Sequence, residues 1–522
     1  MRLISHNDIK DIGKSQRIAS NTIVLFIRMF VLTIVNLYAV RLTLNGLGAE
    51  DYGIFNAVAG VITMSSFVSG VMELSIQRFY SYSIGEQDEK KLQEIFSISV
   101  MIIFFLAIIV LISFETIGLW FLNTQLNIPA SRMDAAFWCF HFSLFAFIFS
   151  IIQIPFSAAV FSHEDMDVYA IISTIDCILR LLVAFFIGKT IIDNLSFYSG
   201  GLVIVAIIVF LMYMFVGYLR YPECQFKNIK NKLLAKSLLS FSGWTLFGSI
   251  SKVGMIQGST ILLNIFFGPI ANVAFAICLQ INVAFNALCN SMVLALRPAM
   301  IKAYAEKEFE YLNQLFSVSN KFILYILLAL ALPMIFEMKD ILLIWLGNKV
   351  TAQIVLFAQL IIIYVICLAM SNPITIIMQA TGHIKEYFLP VESVSLMCLP
   401  ISWLLFHIGL PSYSIFISMI GVCVISHIIR IYCLRKFYSP FSTRDYLVQL
   451  CLPATFIFII GATVTFVIHT DISNNILRLL INVTFTPLSV ALMAYYMGIT
   501  RKEKTLLKKL LRSSVIGRLW KR

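Results

Sequence analysis

The chain predicts an all-α, polytopic integral membrane protein, and three observations predict it. Hydrophobic residues make up 60% of its 522 residues and charged residues only 13%, where soluble domains average about 45–50% and about 25%. Its apolar stretches are repeatedly long enough to cross a bilayer. Its lysines and arginines gather on alternate connections between those stretches.

A crossing needs about 20 apolar residues. That length gives about fourteen spans: Ser20–Val40, Tyr52–Leu74, Ile95–Leu122, Ala135–Val160, Val168–Gly188, Ser196–Leu219, Phe241–Phe267, Ile270–Leu296, Phe316–Met338, Thr351–Met378, Tyr387–Ile408, Tyr413–Leu434, Leu447–Ile468 and Ile476–Met497. The eighth is entered by Gly268-Pro269 and the tenth carries Pro373, so each of these is interrupted by a helix breaker.

Cations near span ends set orientation. With the N-terminus inside, inner segments carry 29 of the 39 Lys and Arg residues and outer connections carry 5: Arg41, Arg132, Lys189, Lys339 and Lys349. The bias predicts a multi-pass protein with both termini in the cytoplasm. The net charge of +12 is then a topology signal, reinforced by attraction to anionic lipid. In the basic tail Arg501–Arg522, Leu506, Leu507, Leu510, Leu511 and Val515 recur among lysines. This pattern reads as an amphipathic helix on the membrane, with no nucleic-acid partner. The first apolar stretch is too long for the core of a cleavable signal. The 10 cysteines form no C-x-x-C pair, which argues against a zinc site or a disulfide framework.

The chain resembles itself at a shift of 220 residues. Gly48–Phe55 overlies Gly268–Phe275, Glu86–Ser97 overlies Glu306–Ser317, and His163 overlies His383. Six spans fit in the shift, so the repeat is parallel, an arrangement of transporters with the substrate path between repeats. The expected layout is a six-helix lobe at 1–220, a second at 221–440, two added helices at 441–500 and a basic tail at 501–522.

The Gly48-x-x-x-Tyr52-Gly53-x-Phe55 segment, the loop Glu86–Glu94, the sequence Gln379-Ala-Thr-Gly-His383 and the 6+6+2 layout together resemble a known family. It is the polysaccharide-transporter branch, with its Wzx-type O-antigen flippases, of the multidrug/oligosaccharidyl-lipid/polysaccharide (MOP) superfamily. The resemblance implies a MATE-like fold and no enzymatic activity. It also implies alternating-access translocation of an undecaprenyl-pyrophosphate-linked oligosaccharide for O-antigen, capsule or exopolysaccharide assembly, with a polysaccharide polymerase as a possible partner. It supplies no site motif, so candidate residues come from charge.

Ionisable groups within a bilayer cost several kcal/mol and need a partner or a wet cavity. Arg28 and Lys252 lie midway along the first and seventh spans, which are repeat mates, and Arg180 lies midway along the fifth. Three mid-depth cations suit a pyrophosphate, which Arg binds bidentately. Asp176 precedes Arg180 by one helical turn, so that pair neutralises itself. Arg78 and Arg297 end the second and eighth spans, where a headgroup enters or where ordinary anchoring cations sit. Glu392, with no charged neighbour one turn away, is the lone carboxylate of the eleventh span. Together with Glu73 and Asp176 it is a candidate for coupling to H+ or Na+, and no other cofactor is expected. Glu73 is also a candidate partner of Arg28. Glu115 and Glu337 fall at outer ends and are expected to be solvated.

Ile12-Gly-Lys-Ser15 and Gly188-Lys-Thr190 lack the first glycine of a phosphate-binding loop. Asp165-Met-Asp167 matches a glycosyltransferase D-x-D but stands in a loop of only a few residues. Gly254-x-x-x-Gly258 permits close helix packing. A polymerase or ligase would need a large outer loop, and none is present. The remaining alternatives are a lipid II flippase and a cation-coupled multidrug exporter of the same superfamily. The exporter would favour acidic rather than basic groups at mid-membrane.

Overall fold

A computed structural model describes residues 28, 32, 35, 38–39, 41–48, 50–60, 62, 65–124, 126, 128–189, 191, 193–227, 231–347, 350–500 and 503–504. Most of the first predicted span lies outside these residues. So do the four cations before it, and all of the tail except Glu503 and Lys504. Among the described residues there is no strand, and twelve helices are long and apolar enough to cross a membrane. A helix suits this solvent because it satisfies its own N–H and C=O groups, which hydrocarbon cannot. The protein is therefore a multi-pass, all-α membrane protein, as composition predicts.

The chain divides into two compact units, with the boundary between Leu246 and Phe247. In the first, α1 spans Ser66–Glu86 and α2 spans Glu89–Ser113, which a π-helical turn and a short helix extend to Thr124. Then come α3, Met133–Ile152; α4, Ile154–Ser162; α5, Met166–Phe186; and α6, Asn194–Arg220. Helix α3 packs along α6, and α1 packs along α4. The α7 helix, Lys232–Gly268, carries the chain into the second unit, which continues with α8, Ile270–Ala305. It goes on through α9, Phe309–Phe336; α10, Met338–Leu346; α11, Ala352–Ala369; α12, Asn372–Thr381; α13, Ile384–Leu396; α14, Cys398–His407; and α15, Ser414–Phe437. The last two are α16, Thr443–Asp471, and α17, Asn475–Gly498.

Several predicted boundaries move. The second span, Tyr52–Leu74, is interrupted by a turn at Ser65, and α1 runs on to Glu86. The sequence reading stops where Ser75 and Gln77 appear, but both are buried against neighbouring helices. The fourth, tenth and eleventh spans each divide into two helices, and a proline stands at or near the start of each second piece: Pro155, Pro373 and Pro400. Proline has no N–H to donate and is accommodated in a first turn.

The 220-residue shift is visible in the backbone. Gly48 and Gly268 have φ of 78° and 75°, and Gln87 and Lys307 have φ of 57° and 59°. The second pair is left-handed without being glycine, an uncommon state for such residues, so its recurrence marks equivalent turns. Helices α2 and α9 begin 220 residues apart, at Glu89 and Phe309, as do α6 and α15, at Asn194 and Ser414.

Each unit is clamped by a charge cluster. In the first, Arg132 bridges Asp51 and Asp193, its Nη1 lying 2.6 Å from Asp193 Oδ2. Asp193 also caps α6 by accepting from the N–H groups of Leu195 and Ser196. Burial pushes the Asp193 carboxyl up, but these hydrogen bonds outweigh it and hold it below the usual range.

In the second unit Glu337, the residue between α9 and α10, corrects the expectation of a solvated side chain. It is enclosed, with a side-chain exposure of 0%. It accepts from Arg478 Nε at 2.9 Å and Asn482 Nδ2 at 2.7 Å, and lies 2.9 Å from His469 Nδ1. Arg478 also reaches Asp340. Asn482 then accepts from Thr486, which contacts Thr465. This buried polar ladder fastens α16 and α17 to α9. Glu115, by contrast, is partly exposed, 3.4 Å from His141 Nε2.

Burial alone raises the Glu337 carboxyl, but its donors outweigh that and hold it below the ordinary value, about 4.3 for a free Glu. A depressed carboxylate contributes stability above its unfolded pKa and loses it as pH falls through the lower folded value. Glu337→Gln is therefore expected to cost about 1.5–3 kcal/mol at neutral pH. It should also flatten the acid-side loss of stability, as read from thermal unfolding of detergent-solubilised protein between about pH 3 and 8. Equal melting temperatures for wild type and variant at pH 7 would contradict the clamp.

Candidate functional site

In the first unit the candidate residues gather around α5. Arg28 Nε donates to Ser173 Oγ at 2.5 Å, and its guanidinium lies over the Tyr169 ring at 4.3 Å. Tyr169 is within electrostatic reach of Arg28, Glu73 and Asp176. Arg28 thus takes a hydroxyl and a ring from α5, whereas Glu73 accepts from Ser157 of α4 at 2.5 Å; this differs from the suggested Arg28–Glu73 pairing. Arg180 Nε donates to Asp176 Oδ1 at 2.8 Å, the self-neutralising pair that the one-turn spacing predicts. Arg78 has the rings of Phe79, Tyr82 and Phe241 around its guanidinium, at 4.8, 5.0 and 5.4 Å. Arg297 is half-buried near the end of α8. The D-x-D residue Asp165 accepts from the Tyr221 hydroxyl at 2.6 Å and lies 3.4 Å from Arg220, a fastening of α5 to the end of α6.

The second unit holds the denser cluster. Gly248, Gly254 and Gly258 on α7 face α13 and α14: a Cβ at these positions would lie 2.8 Å from Phe388, 3.8 Å from Leu396 and 2.6 Å from Leu399. Absence of side chains at 248 and 258 lets the helices approach; of the Gly254/Gly258 pair, Gly258 has the packing role expected of it, whereas a Cβ at Gly254 would make only an ordinary contact. That approach brings Lys252 within electrostatic range of Glu392 on α13.

Glu392 is not lone. Arg430 Nη2 of α15 stands 3.5 Å from its Oε1, and both side chains are nearly enclosed, at 9% exposure for Arg430 and 11% for Glu392. Arg430 Nη1 donates to the Tyr387 hydroxyl at 2.7 Å and lies 3.5 Å from Thr375 Oγ1. The two hydroxyls are 2.7 Å apart. One turn before Arg430, His427 is 3.4 Å from Ser371 Oγ through Nδ1 and 3.1 Å from the Tyr446 hydroxyl through Nε2. The Lys252 ammonium makes no hydrogen bond among the described residues.

Sequence reasoning missed Arg430 by counting it with the anchoring cations Arg435 and Lys436. The signal was present: Ile428, Ile429 and Ile431 flank it, and it stands seven residues before the end of α15. Tyr387 and Thr375 carried no signal of their own, because a hydroxyl gains its role only from what it faces. Among the described residues no group of His, Cys, Asp or Glu side chains is arranged to hold a metal ion.

No protein-family model matches the chain, and no curated protein matches it. Solved structures do match in fold. One is the outward-facing conformation of a multidrug resistance MATE family transporter of the MOP superfamily, at TM-score 0.70 and 12% identity, covering 82% of this chain and 96% of that one. A MATE in the bent conformation aligns at TM-score 0.71 and 14% identity, over 82% and 98% of the two chains. A MOP superfamily transporter from Pyrococcus furiosus, described as having a binding pocket of reverse polarity, aligns at TM-score 0.68 and 14% identity, over 82% and 97%. The fold is MATE-like.

The Asp176–Arg180 pair is only partly enclosed, at 29% and 47% exposure. A screened one-turn pair contributes about 0.3–0.5 kcal/mol. Asp176→Ala and Arg180→Ala are therefore each expected to accumulate to near wild-type abundance in membrane fractions. A severalfold loss in both, restored in the double variant, would instead place the pair in hydrocarbon, where breaking it costs about 3–5 kcal/mol.

Proposed function

We propose that this protein is a membrane transporter that carries an anionic, lipid-linked substrate. The substrate is an undecaprenyl-pyrophosphate-linked oligosaccharide, moved across the bacterial inner membrane by alternating access for surface polysaccharide assembly. One observation carries the reading. Within the spans of the second unit, two cations, Lys252 and Arg430, share a single carboxylate, Glu392. A surplus cation at membrane depth is costly unless something negative visits it. In the first unit, the partners of Arg28 among the described residues are a hydroxyl and a ring, with no carboxylate, an arrangement suited to an anionic ligand. Arg180 and Arg78 in the first unit and Arg297 in the second are secondary candidates. The MATE-like fold supports a transporter, and the 6+6+2 layout expected from sequence, with its basic mid-span residues, favours the polysaccharide branch. A lipid II flippase would present the same pyrophosphate to these cations.

The cation-coupled multidrug exporter is the second reading. It is favoured by the fold neighbours and by Glu392, Glu73 and Asp176, the acidic groups within or beside the clusters. Coupling to H+ or Na+ through Glu392 fits either reading.

In a strain lacking the native gene, Lys252→Ala and Arg28→Ala are expected to accumulate normally yet fail to restore surface polysaccharide. Each would lose a charge-assisted contact of about 1.5–3 kcal/mol. Arg28→Lys should restore export in part, since its charge survives but its stacking on Tyr169 does not. Normal export by both alanine variants would refute the anionic-substrate reading, and drug resistance conferred by the wild type would favour the exporter.

A further inference from the structure

We propose, resting on that reading, that Glu392 is a built-in competitor for the anion that Lys252 and Arg430 bind. Occupation of the site by a pyrophosphate diester is then linked to protonation of this carboxylate. The first ground is charge. The resting cluster holds two cations and one carboxylate. A pyrophosphate diester carries two negative charges. Placed against Lys252 and Arg430, it leaves the cluster neutral only when Glu392 carries a proton; with Glu392 ionised the cluster is left with one negative charge. Net charge away from water is the costly term.

The second ground is unfilled donors. Arg430 uses Nη1 on Tyr387 and Thr375 and Nη2 on Glu392, while its buried Nε–H meets no acceptor. A buried N–H without a partner costs about 1–3 kcal/mol, and an anion oxygen would satisfy it. The Lys252 ammonium likewise makes no hydrogen bond among the described residues.

The third ground is spacing. At 3.5 Å the Arg430–Glu392 contact is longer than the ~2.7–2.9 Å of a tight charge-assisted bond. Tyr387 and Thr375 hold the guanidinium independently, so Arg430 keeps its place when Glu392 lets go. Proton transfer to Glu392 breaks no covalent bond of the protein and needs only a proton from water. The other titratable or charged groups around Glu392 are Tyr387 on its own helix, Tyr364 on α11 and Cys423 on α15. His427 stands one turn from Arg430 and is the group whose titration must be told apart from that of Glu392.

The test uses the purified full-length chain in lipid nanodiscs. The probe is dimethyl pyrophosphate (one methyl ester on each phosphorus), whose two charges are constant between about pH 5 and 8. Calorimetry in buffers of different ionisation enthalpy gives both affinity and proton uptake. The expected result is that wild-type affinity rises severalfold or more as pH falls, with close to one proton taken up per anion at the high-pH end. Glu392→Gln should bind more tightly than wild type at pH 8, with neither pH dependence nor proton uptake. His427→Gln should keep both. Wild-type binding that is independent of pH and takes up no proton would overturn the proposal while leaving the anion reading intact. So would pH dependence that survives in Glu392→Gln. No binding to wild type or to Glu392→Gln at any pH, or full binding by Lys252→Ala, would instead sink the anion reading on which the proposal rests.

Discussion

A charge carried out of water must find its counter-charge or an open donor within a few ångströms, and the tertiary structure of this protein is organised around that demand. Glu337 meets it with Arg478, His469 and Asn482, and in doing so fastens the last two helices to α9. Lys321, with 2% exposure, meets it with Glu503 at 2.9 Å and so ties Glu503, just beyond α17, to the same helix. Glu392 meets it with Arg430. Each pair joins elements distant in sequence, so the cost of burying one charge becomes a reason for two helices to stay together.

Packing prepares these meetings. Apolar attraction between helices is weak in lipid, so small residues that admit close contact do more there than in water. On α7, Gly248 and Gly258 let Phe388 and Leu399 come to within distances that a Cβ would forbid. Lys252 lies between those glycines and is carried toward α13 with them. The surplus positive charge of the second unit therefore follows from glycine placement as much as from the lysine.

The two units show how one repeat diverges chemically. Their turns still match, at Gly48 with Gly268 and Gln87 with Lys307. Their polar residues do not. In the first unit Arg28 meets Ser173 and Tyr169 on α5. In the second, Lys252 has Glu392, with Arg430 behind it. Backbone geometry is dictated by connection length and handedness, which both copies share, whereas a polar side chain inside a bundle answers only to its own neighbours.

By itself the sequence determined the fold class, the long apolar helices, the 220-residue shift and the Asp176–Arg180 pair. Each depends on composition or on spacing along one helix. The breaks at Pro155, Pro373 and Pro400 were legible in principle, because proline lacks an N–H wherever it stands. Only the tertiary structure decided that Glu337 is enclosed, that Glu392 has a cation beside it and that Arg430 belongs to a site rather than to an anchor. Those outcomes depend on which helices approach and at what depth, and the position of a side chain relative to a neighbouring helix is not encoded in its own segment. Ile428, Ile429 and Ile431 hinted that Arg430 is buried; the Tyr387 hydroxyl that holds it, 43 residues away, could be found only once α13 and α15 were seen side by side.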